Sequence, residues 1–415
     1  MRFLESGSVF LLAVTIVACG GGESRWAGTI SDSAGVTIVS NGDIGLWPPG
    51  EEWTVEEELR IGALEGNPEY QFGQVGSLAV DSKGRILVLD RQAQQIRVYS
   101  PDGIYEQTIG ARGSGPGELN GAMTLLMVSG DTLLVPDLRN LRFSRYAPDG
   151  SSAGSIPLDL TGGWPMQFRA TSGVTVEQIR PGALPEGSAA ESRMDVLLRL
   201  ASDGSVTDTL MTFRSGESQT LDGHIRFFEA EPLWDLTDHS EIVLGVNNEY
   251  QFGVYANGHL ERIITKTFAR KPVGEADRAA IKAELDRRLT AQGMPANTRQ
   301  IVLRDRFHFA EFLPVISALA AGPMGTIWVQ HMRPPSELSG AELAAVREDH
   351  LEDLGAPEWD AFDAEGRFLG VVAVPKRFTP SLFRDDKIYG VWRDELNVEY
   401  VIRLRIVGVL GDSAT

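Results

Sequence analysis

The sequence predicts an all-β protein: a six-bladed β-propeller of four-stranded antiparallel blades, with two helical insertions on one face. Three observations carry this. First, the chain repeats itself. IGALEGNP (61–68) is echoed by IGARGSGP (109–116), LAVDSKGRILVLD (78–90) by LMVSGDTLLVPD (126–137), and RVYSPDG (97–103) by SRYAPDG (144–150). A repeat of short strands and turns is a blade unit, which buries its faces only by stacking on its neighbours. Second, 45 glycines and 21 prolines among 415 residues supply the turns that such a fold needs. Third, short and long connections segregate, as a meander with one decorated face requires.

The blades follow in order. Blade 1 covers about 75–110, with strands in SLAVD, GRILVLD, QIRVYS and YEQTIG. Blade 2 covers about 122–160, blade 3 about 164–215, blade 4 about 228–270 and blade 5 about 313–376. Blade 6 begins at SLFRDDKIYGVWRD and continues with EYVIRLRIV, but lacks an outer strand. WTVEEELRIG (53–62) supplies it, so that both chain ends meet in one blade and no edge stays open. VTIVS (36–40) reads as a further strand without an evident place.

Within each blade the A–B turns (DSKG, VSGD, TDHS) and C–D turns (SPDG, APDG, ANGH) are short. The long segments, 180–193, 269–300 and 333–358, all follow B or D strands, which end on the same face. Loops on a rigid scaffold are where function concentrates. Two of these insertions carry helices, about 274–295 and 338–355. Ile281, Leu285 and Leu289 form an apolar stripe at helical spacing, and Ser339 with Glu342 has capping-box spacing. Both helices are expected to pack over the propeller as lids.

The four glycines of IGARGSGPGEL (109–119) invite a phosphate-loop reading, which their context rejects. No Gly-Lys-Ser/Thr follows, the next segment reads as strands rather than a helix, and Glu118 would repel a phosphate. The segment instead carries the chain from one blade to the next.

Residues 1–18 read as a leader. VFLLAVTIV (9–17) is too short to span a bilayer and suits a signal-peptide core. Ile16-Val17-Ala18-Cys19 resembles a bacterial lipobox, and Cys19 is the one cysteine of the chain. That resemblance implies a lipidated Cys19, and the repeats divide the rest into a tether and extension over 19–52, a propeller over 53–410 and a tail over 411–415. The lipobox implies a lipoprotein of the bacterial envelope, with Gly20 suggesting the outer membrane. The formal net charge of −19 argues against nucleic acid as a partner and against a face pressed on anionic lipid. Contact with the membrane is then expected through the anchor only.

With the repeats laid out, GSGPGEL (113–119) and VDSKGRILVLDRQAQQIRVYSPDG (80–103) resemble the NHL-like six-bladed propellers. The resemblance is strong over about 60–160 and traceable to about 410. It implies a fold rather than an activity, because such propellers serve as binding modules, lactonases and lyases alike.

No serine-hydrolase elbow, zincin motif or cysteine cluster is present. Arg91, Arg139, Arg180, Arg333 and Arg393 each follow a B strand within a few residues, Asn247 and Asn248 take that place in blade 4, and His331 closes the B strand of blade 5. A guanidinium presents two parallel donors to carboxylate, phosphate or sulfate. These residues are the candidate ligand-binding set, although nearby Asp90, Asp137 or Asp394 would equally pair with the arginines. Glu231 and Glu311 precede inner strands. With Asn248 they are the candidate catalytic or metal set, Ca²⁺ being the cation that such oxygens suit. The expected function is a non-catalytic binding or scaffold module with no cofactor, whose partner is an envelope protein or an anionic glycan or metabolite. The alternative is a metal-dependent hydrolase, lactonase or lyase.

The leader generates a prediction. Cys19→Ala releases a folded, soluble protein from the membrane fraction, because the anchor contributes nothing to the core. Unchanged fractionation of that variant overturns lipidation at Cys19.

Overall fold

The computed structural model describes residues 26–171, 173–182, 193–216, 224–346 and 354–408, so Cys19 and the leader lie outside the described residues. Three strands come first: β1 (Gly28–Ser33), β2 (Val36–Asn41) and β3 (Thr54–Ile61). Blade 1 is β4 (Val75–Val80), β5 (Ile86–Asp90), β6 (Gln95–Tyr99) and β7 (Tyr105–Ile109). Blade 2 is β8 (Leu126–Val128), β9 (Thr132–Asp137), β10 (Arg142–Tyr146) and β11 (Ser152–Pro157). Blade 3 is β12 (Trp164–Thr171), β13 (Val174–Arg180), β14 (Met194–Leu200) and β15 (Val206–Arg214). A short strand, β16 (Ile225–Phe227), leads into blade 4, which is β17 (Pro232–Leu236), β18 (Ile242–Val246), β19 (Gln251–Ala256) and β20 (His259–Lys266). Helices α1 (Glu275–Ala291) and α2 (Ala296–Asp305) and strand β21 (Phe307–Phe309) intervene. Blade 5 is β22 (Ile316–Ala321), β23 (Ile327–Met332), β24 (Gly355–Phe362) and β25 (Phe368–Ala373), with α3 (Gly340–Ala345) between β23 and β24. Blade 6 is β26 (Phe378–Arg384), β27 (Lys387–Arg393) and β28 (Glu399–Val407).

The chain is thus a six-bladed propeller. Blade 6 is completed as the sequence predicts: β3 pairs antiparallel with β28, Ile61 opposite Val401 and Thr54 opposite Val407. The core is divided among the blade faces. Six apolar layers fill the six gaps, one between each pair of neighbours. Between blades 1 and 2, for instance, Leu89, Ile96 and Val98 meet Leu119, Val135 and Tyr146. Period-2 alternation makes this possible, since each strand sends one residue set to either neighbour.

The N-terminal strand left without a place lies on the outer edge of blade 4. β2 pairs parallel with β20 and antiparallel with β1, so this blade has six strands rather than the expected four. Asn41 fixes the junction. Its Nδ2 donates to the carbonyls of Thr265 and Gly366, and its Oδ1 accepts from Trp26 Nε1 and the Phe368 amide. All four hydrogen-bonding positions of a buried amide are used. Beyond Asn41 the Leu46 and Trp47 amides bond carbonyls of β25, and the chain then enters blade 6 as β3. One segment therefore ties three consecutive blades together.

The loop with four glycines is a D–A connection. The Glu118 carboxylate accepts from the Gly115 amide, Arg142 donates to the carbonyls of Gly115 and Glu118, and Leu119 is fully buried. The acid that argued against a phosphate occupies the place where one would bind.

The insertions correct two expectations. The first holds two helices, because α2 covers residues read from sequence as loop. Among the described residues, the second holds one α-helix, the short α3, whose Ser339–Glu342 capping box is formed. Residues 347–353 of the expected helix lie outside the described residues. Ile281 and Leu285 are buried, as the stripe predicts, but in a separate apolar core with Phe227, Leu303, Phe307 and Leu343. Within it, Phe227 and Phe309 of the parallel pair β16–β21 stack at 5.3 Å.

One buried acid has no compensation. Glu177 of β13 is 5% exposed, and its Oε1 has no hydrogen-bond partner. Burial, with a smaller contribution from the charge of Asp159, pushes its carboxyl up to about 7. The folded state therefore keeps a proton that the unfolded chain loses near the ordinary carboxyl value of 4.5. Stability falls as pH rises from the ordinary value to the raised one, and the full penalty remains above it. A shift of this size corresponds to about 3 kcal/mol at most. Glu177→Gln is expected to melt higher than the parent at pH 8, with the difference vanishing at pH 4. Equal melting temperatures at both pH values overturn this account.

Candidate functional site

The structure separates the arginines expected to form a crown. Arg91 and Arg139 are exposed, and each lies over a glycine of the preceding segment. A Cβ at Gly76 would meet Arg91 Cδ at 2.1 Å, and one at Gly121 would meet Arg139 Cγ at 3.0 Å. Arg180 is bound bidentately by the fully buried Asp195, at 2.9 Å for both bonds. Arg333 pairs with Glu342 at 3.2 Å, and Arg393 with Glu399 at 2.6 Å. Local pairing therefore holds for three arginines, but not with the acids expected. Asp90 and Asp137 instead accept backbone amides of the incoming D–A connection, at Gly73 and Asn120. Asn247 does the same in blade 4, accepting from the Glu231 amide at 2.9 Å. Asp394 organises its own turn through the amides of Leu396 and Val398.

Glu231 stands beside Gly216, and its charge reaches Arg180. Glu311 lies at the base of the helical insertion, where its carbonyl accepts the Val273 amide. Asn248 is half-buried beside the structural Asn247. Among the described residues, no group of three or more His, Cys, Asp or Glu side chains is arranged to hold a metal ion.

Two neighbouring blade gaps, at the decorated face, are filled in opposite ways. Between blades 4 and 5 the gap is closed by charge. Asp360 of β24 is 1% exposed, and its Oδ2 accepts from Tyr250 Oη, Lys266 Nζ at 2.6 Å and His331 Nε2 at 3.0 Å. Phe268 and Tyr250 cover the His331 ring at centroid distances of 5.1 and 5.6 Å. Burial pushes the Asp360 carboxyl up, but hydrogen bonds from His331 and Lys266 and their charges outweigh it and hold it below the ordinary range. His331, a candidate ligand residue, is thus engaged in joining two blades. Sequence reasoning missed its partners. The signal was Asp360 itself, an acid inside the apolar strand WDAF.

Between blades 5 and 6 the apolar layer fills the deep part of the gap, and its rim holds a cavity of about 130 Å³. Its floor is β23 and β24, with Gln330, Ala356 and Pro357. One wall comes from the α3 insertion, with Leu338, Glu342, Val346 and Leu354, and the other from the turn into β26, with Pro375, Lys376, Arg377 and Phe378. Arg333 and Arg393 are the two candidates brought to one site. Lys376 and Arg377 were missed, because the cations were read from B-strand ends, whereas D–A connections such as PKRF (375–378) were read for acids. Arg377 donates through Nη1 to the Asp394 carbonyl at 2.8 Å, and no carboxylate among the described residues pairs with it or with Lys376. Among the described residues, four cations therefore face two carboxylates, Glu342 and Glu399. Arg377 also holds φ at +64°, in the third position of a turn closed by the Phe378 amide on the Pro375 carbonyl. For a residue with a Cβ that conformation costs about 1–2 kcal/mol.

Comparisons with known proteins agree on the fold. A family model described as a 6-bladed beta-propeller matches residues 58–122. A protein described as exported, from Bacteroides fragilis, is similar in structure at 11% identity with a TM-score of 0.50, over 89% of this chain and 99% of that one. A member of the DUF4221 family from Bacteroides vulgatus is similar at 11% identity and a TM-score of 0.52, over 86% and 98%. Virginiamycin B lyase from Staphylococcus aureus aligns at 11% identity with a TM-score of 0.41, over 86% and 100%. A search of the curated proteins found no match. At such identities the likeness is one of fold alone.

The clamp between blades 4 and 5 generates a prediction. Removing the charge of Asp360 leaves Lys266 buried without a counterion, which costs about 3–5 kcal/mol. Asp360→Asn is expected to lower the melting temperature strongly at pH 7. Because the folded carboxyl is held below its ordinary value, its contribution is present above the ordinary carboxylate range and is lost as pH falls through the folded value. The gap between parent and variant therefore narrows in acid. A gap that is absent at neutral pH, or constant into acid, contradicts the assignment.

Proposed function

We propose that the chain is a non-catalytic binding module of the bacterial envelope, which takes a small anionic ligand at the cavity between blades 5 and 6. The observation that supports this is the concentration of Arg333, Lys376, Arg377 and Arg393 around one open gap, in a protein with a net charge of −19. Cations gathered against the overall charge indicate a local task. The neighbouring gap supports the same reading from the other side, since its cations are held by a buried carboxylate of the protein itself.

Export accords with the leader of residues 1–18, and the relative from Bacteroides fragilis is described as exported. Anchoring through Cys19, with the outer membrane as destination, belongs to the same proposal. The hydrolase or lyase reading depends on Glu231, Glu311 and Asn248, to which no observed geometry gives a common centre.

The test is a thermal-shift and calorimetric panel of acetate, citrate, sulfate and phosphate against chloride at matched ionic strength. A ligand that binds only the folded state stabilises it by about 2.7 kcal/mol at a hundred times its Kd. At least one anion is expected to raise the melting temperature above the chloride control, and Lys376→Ala combined with Arg377→Ala is expected to remove that gain. No shift with any anion, or a shift that survives the double substitution, overturns the proposal.

A further inference from the structure

The cations define the head of the ligand, and the remaining lining constrains what lies behind it. Opposite the turn into β26 the cavity presents Leu338, Val346 and Leu354, and Phe378 sits at its edge. These side chains gain from apolar contact; of the polar lining residues Gln330, Glu342 and Thr379, the first donates to the Ala356 carbonyl and the second is held by Arg333. The volume of about 130 Å³ is close to that of a cavity of about 150 Å³ that admits a benzene ring. That space holds a small acid, or only the end of a larger one.

Among the four cations, Arg377 is the one whose position is fixed and which pairs with no carboxylate among the described residues. Arg333 and Arg393 are held by Glu342 and Glu399. Lys376 is unpaired but exposed, on a flexible stem. Arg377 is locked from several directions: its carbonyl accepts the Arg393 amide, the turn is closed behind it, and one of its nitrogens donates to the Asp394 carbonyl. Of its five N–H donors the described residues use one, so the planar fork remains able to grip an anion bidentately. The backbone at this position would suit glycine, which enters the left-handed region without strain. An arginine therefore stands where the fold alone would favour a residue without a side chain.

We infer that Arg377 is the specificity-determining residue of this cavity, and that the ligand is a small acid with one anionic head, a carboxylate or a phosphate monoester, on a compact apolar tail. The inference rests on the reading that the cavity binds anions. Arg377 grips the head, and Leu338, Val346, Leu354 and Phe378 receive the tail.

Calorimetric titration of the full chain with 3-methylbutanoate, acetate, 3-methylbutyl phosphate and inorganic phosphate, at constant ionic strength, tests it. One branched probe is expected to bind at least tenfold more tightly than its tail-less counterpart, and which one does so identifies the head. Arg377→Gly is expected to weaken that probe at least tenfold without lowering the melting temperature, since glycine relieves the turn. If Arg377→Gly melts below the parent, Arg377→Lys decides, because it keeps the charge and the turn but loses the fork. Parent-like affinity in that variant overturns the role of Arg377. Equal affinity for branched and tail-less probes overturns the ligand class, and both results leave anion binding itself intact. If none of the four probes binds, the anion-binding reading fails and this inference fails with it.

Discussion

The structure depends on the pairing of β3 with β28. A propeller of six blades has one seam, where the first and last segments of the ring must be held together without a covalent bond. Here the outer strand of blade 6 comes from the N-terminal side and its other three strands from the C-terminal side. Opening the ring therefore requires breaking a full strand ladder inside a blade, rather than separating two blade faces. The segment before β3 adds to this constraint by running along blades 4 and 5 first. Asn41, buried with every hydrogen-bonding position used, marks the crossing between them.

Once the ring is closed, the gaps between blades are where sequence choice acts. Apolar layers fill the deep part of every gap, and polar residues decide the rim. At the blade 6 to blade 1 gap, Glu399 accepts both the Arg393 guanidinium and the Val75 amide, so a charge near the open cavity also holds the seam. At the blade 4 to blade 5 gap, one carboxylate gathers three donors. Such a cluster adds little net stability over an apolar filling, but it tolerates no missing member. Leaving the rim of the next gap unfilled is then a distinct choice by the sequence. Its cations are positioned by Glu342, Glu399 and a backbone carbonyl, and among the described residues only two of the four pair with a carboxylate.

The fold was legible because its signals are local and repeated. SPDG, APDG and DSKG are turns for stereochemical reasons that do not depend on the rest of the chain, and alternation within GRILVLD follows from burial on both faces. The closure by WTVEEELRIG was legible by elimination, since blade 6 lacked one strand. VTIVS could not be placed, because its parallel partner β20 lies more than two hundred residues away and no blade was short of a strand. The site was legible only in part. Arg333 and Arg393 were found through their position after B strands, but so were Arg91 and Arg139, which sit over glycines. Position in the repeat reports which face a residue reaches, not which side chain meets it there. Lys376 and Arg377 belong to a connection that the repeat pattern marks as a turn, and only the left-handed backbone at Arg377 distinguishes them.

The charge balance limits what such a site can take. The protein as a whole repels anions, while among the described residues the cavity gathers four cations against two carboxylates. At physiological ionic strength the screening length is about 8 Å, so an anion inside the cavity is governed by the cations around it and not by the distant acidic surface. A polyanion is in a different position. It would extend beyond the cavity and bring further negative charges against an acidic exterior, where each added group is unfavourable or at best indifferent. On the proposed reading, the arrangement would discriminate by size as well as by sign. Among the ligands that the sequence left open, a small anionic metabolite fits the electrostatics better than an anionic glycan, and the apolar wall beside the cations points the same way.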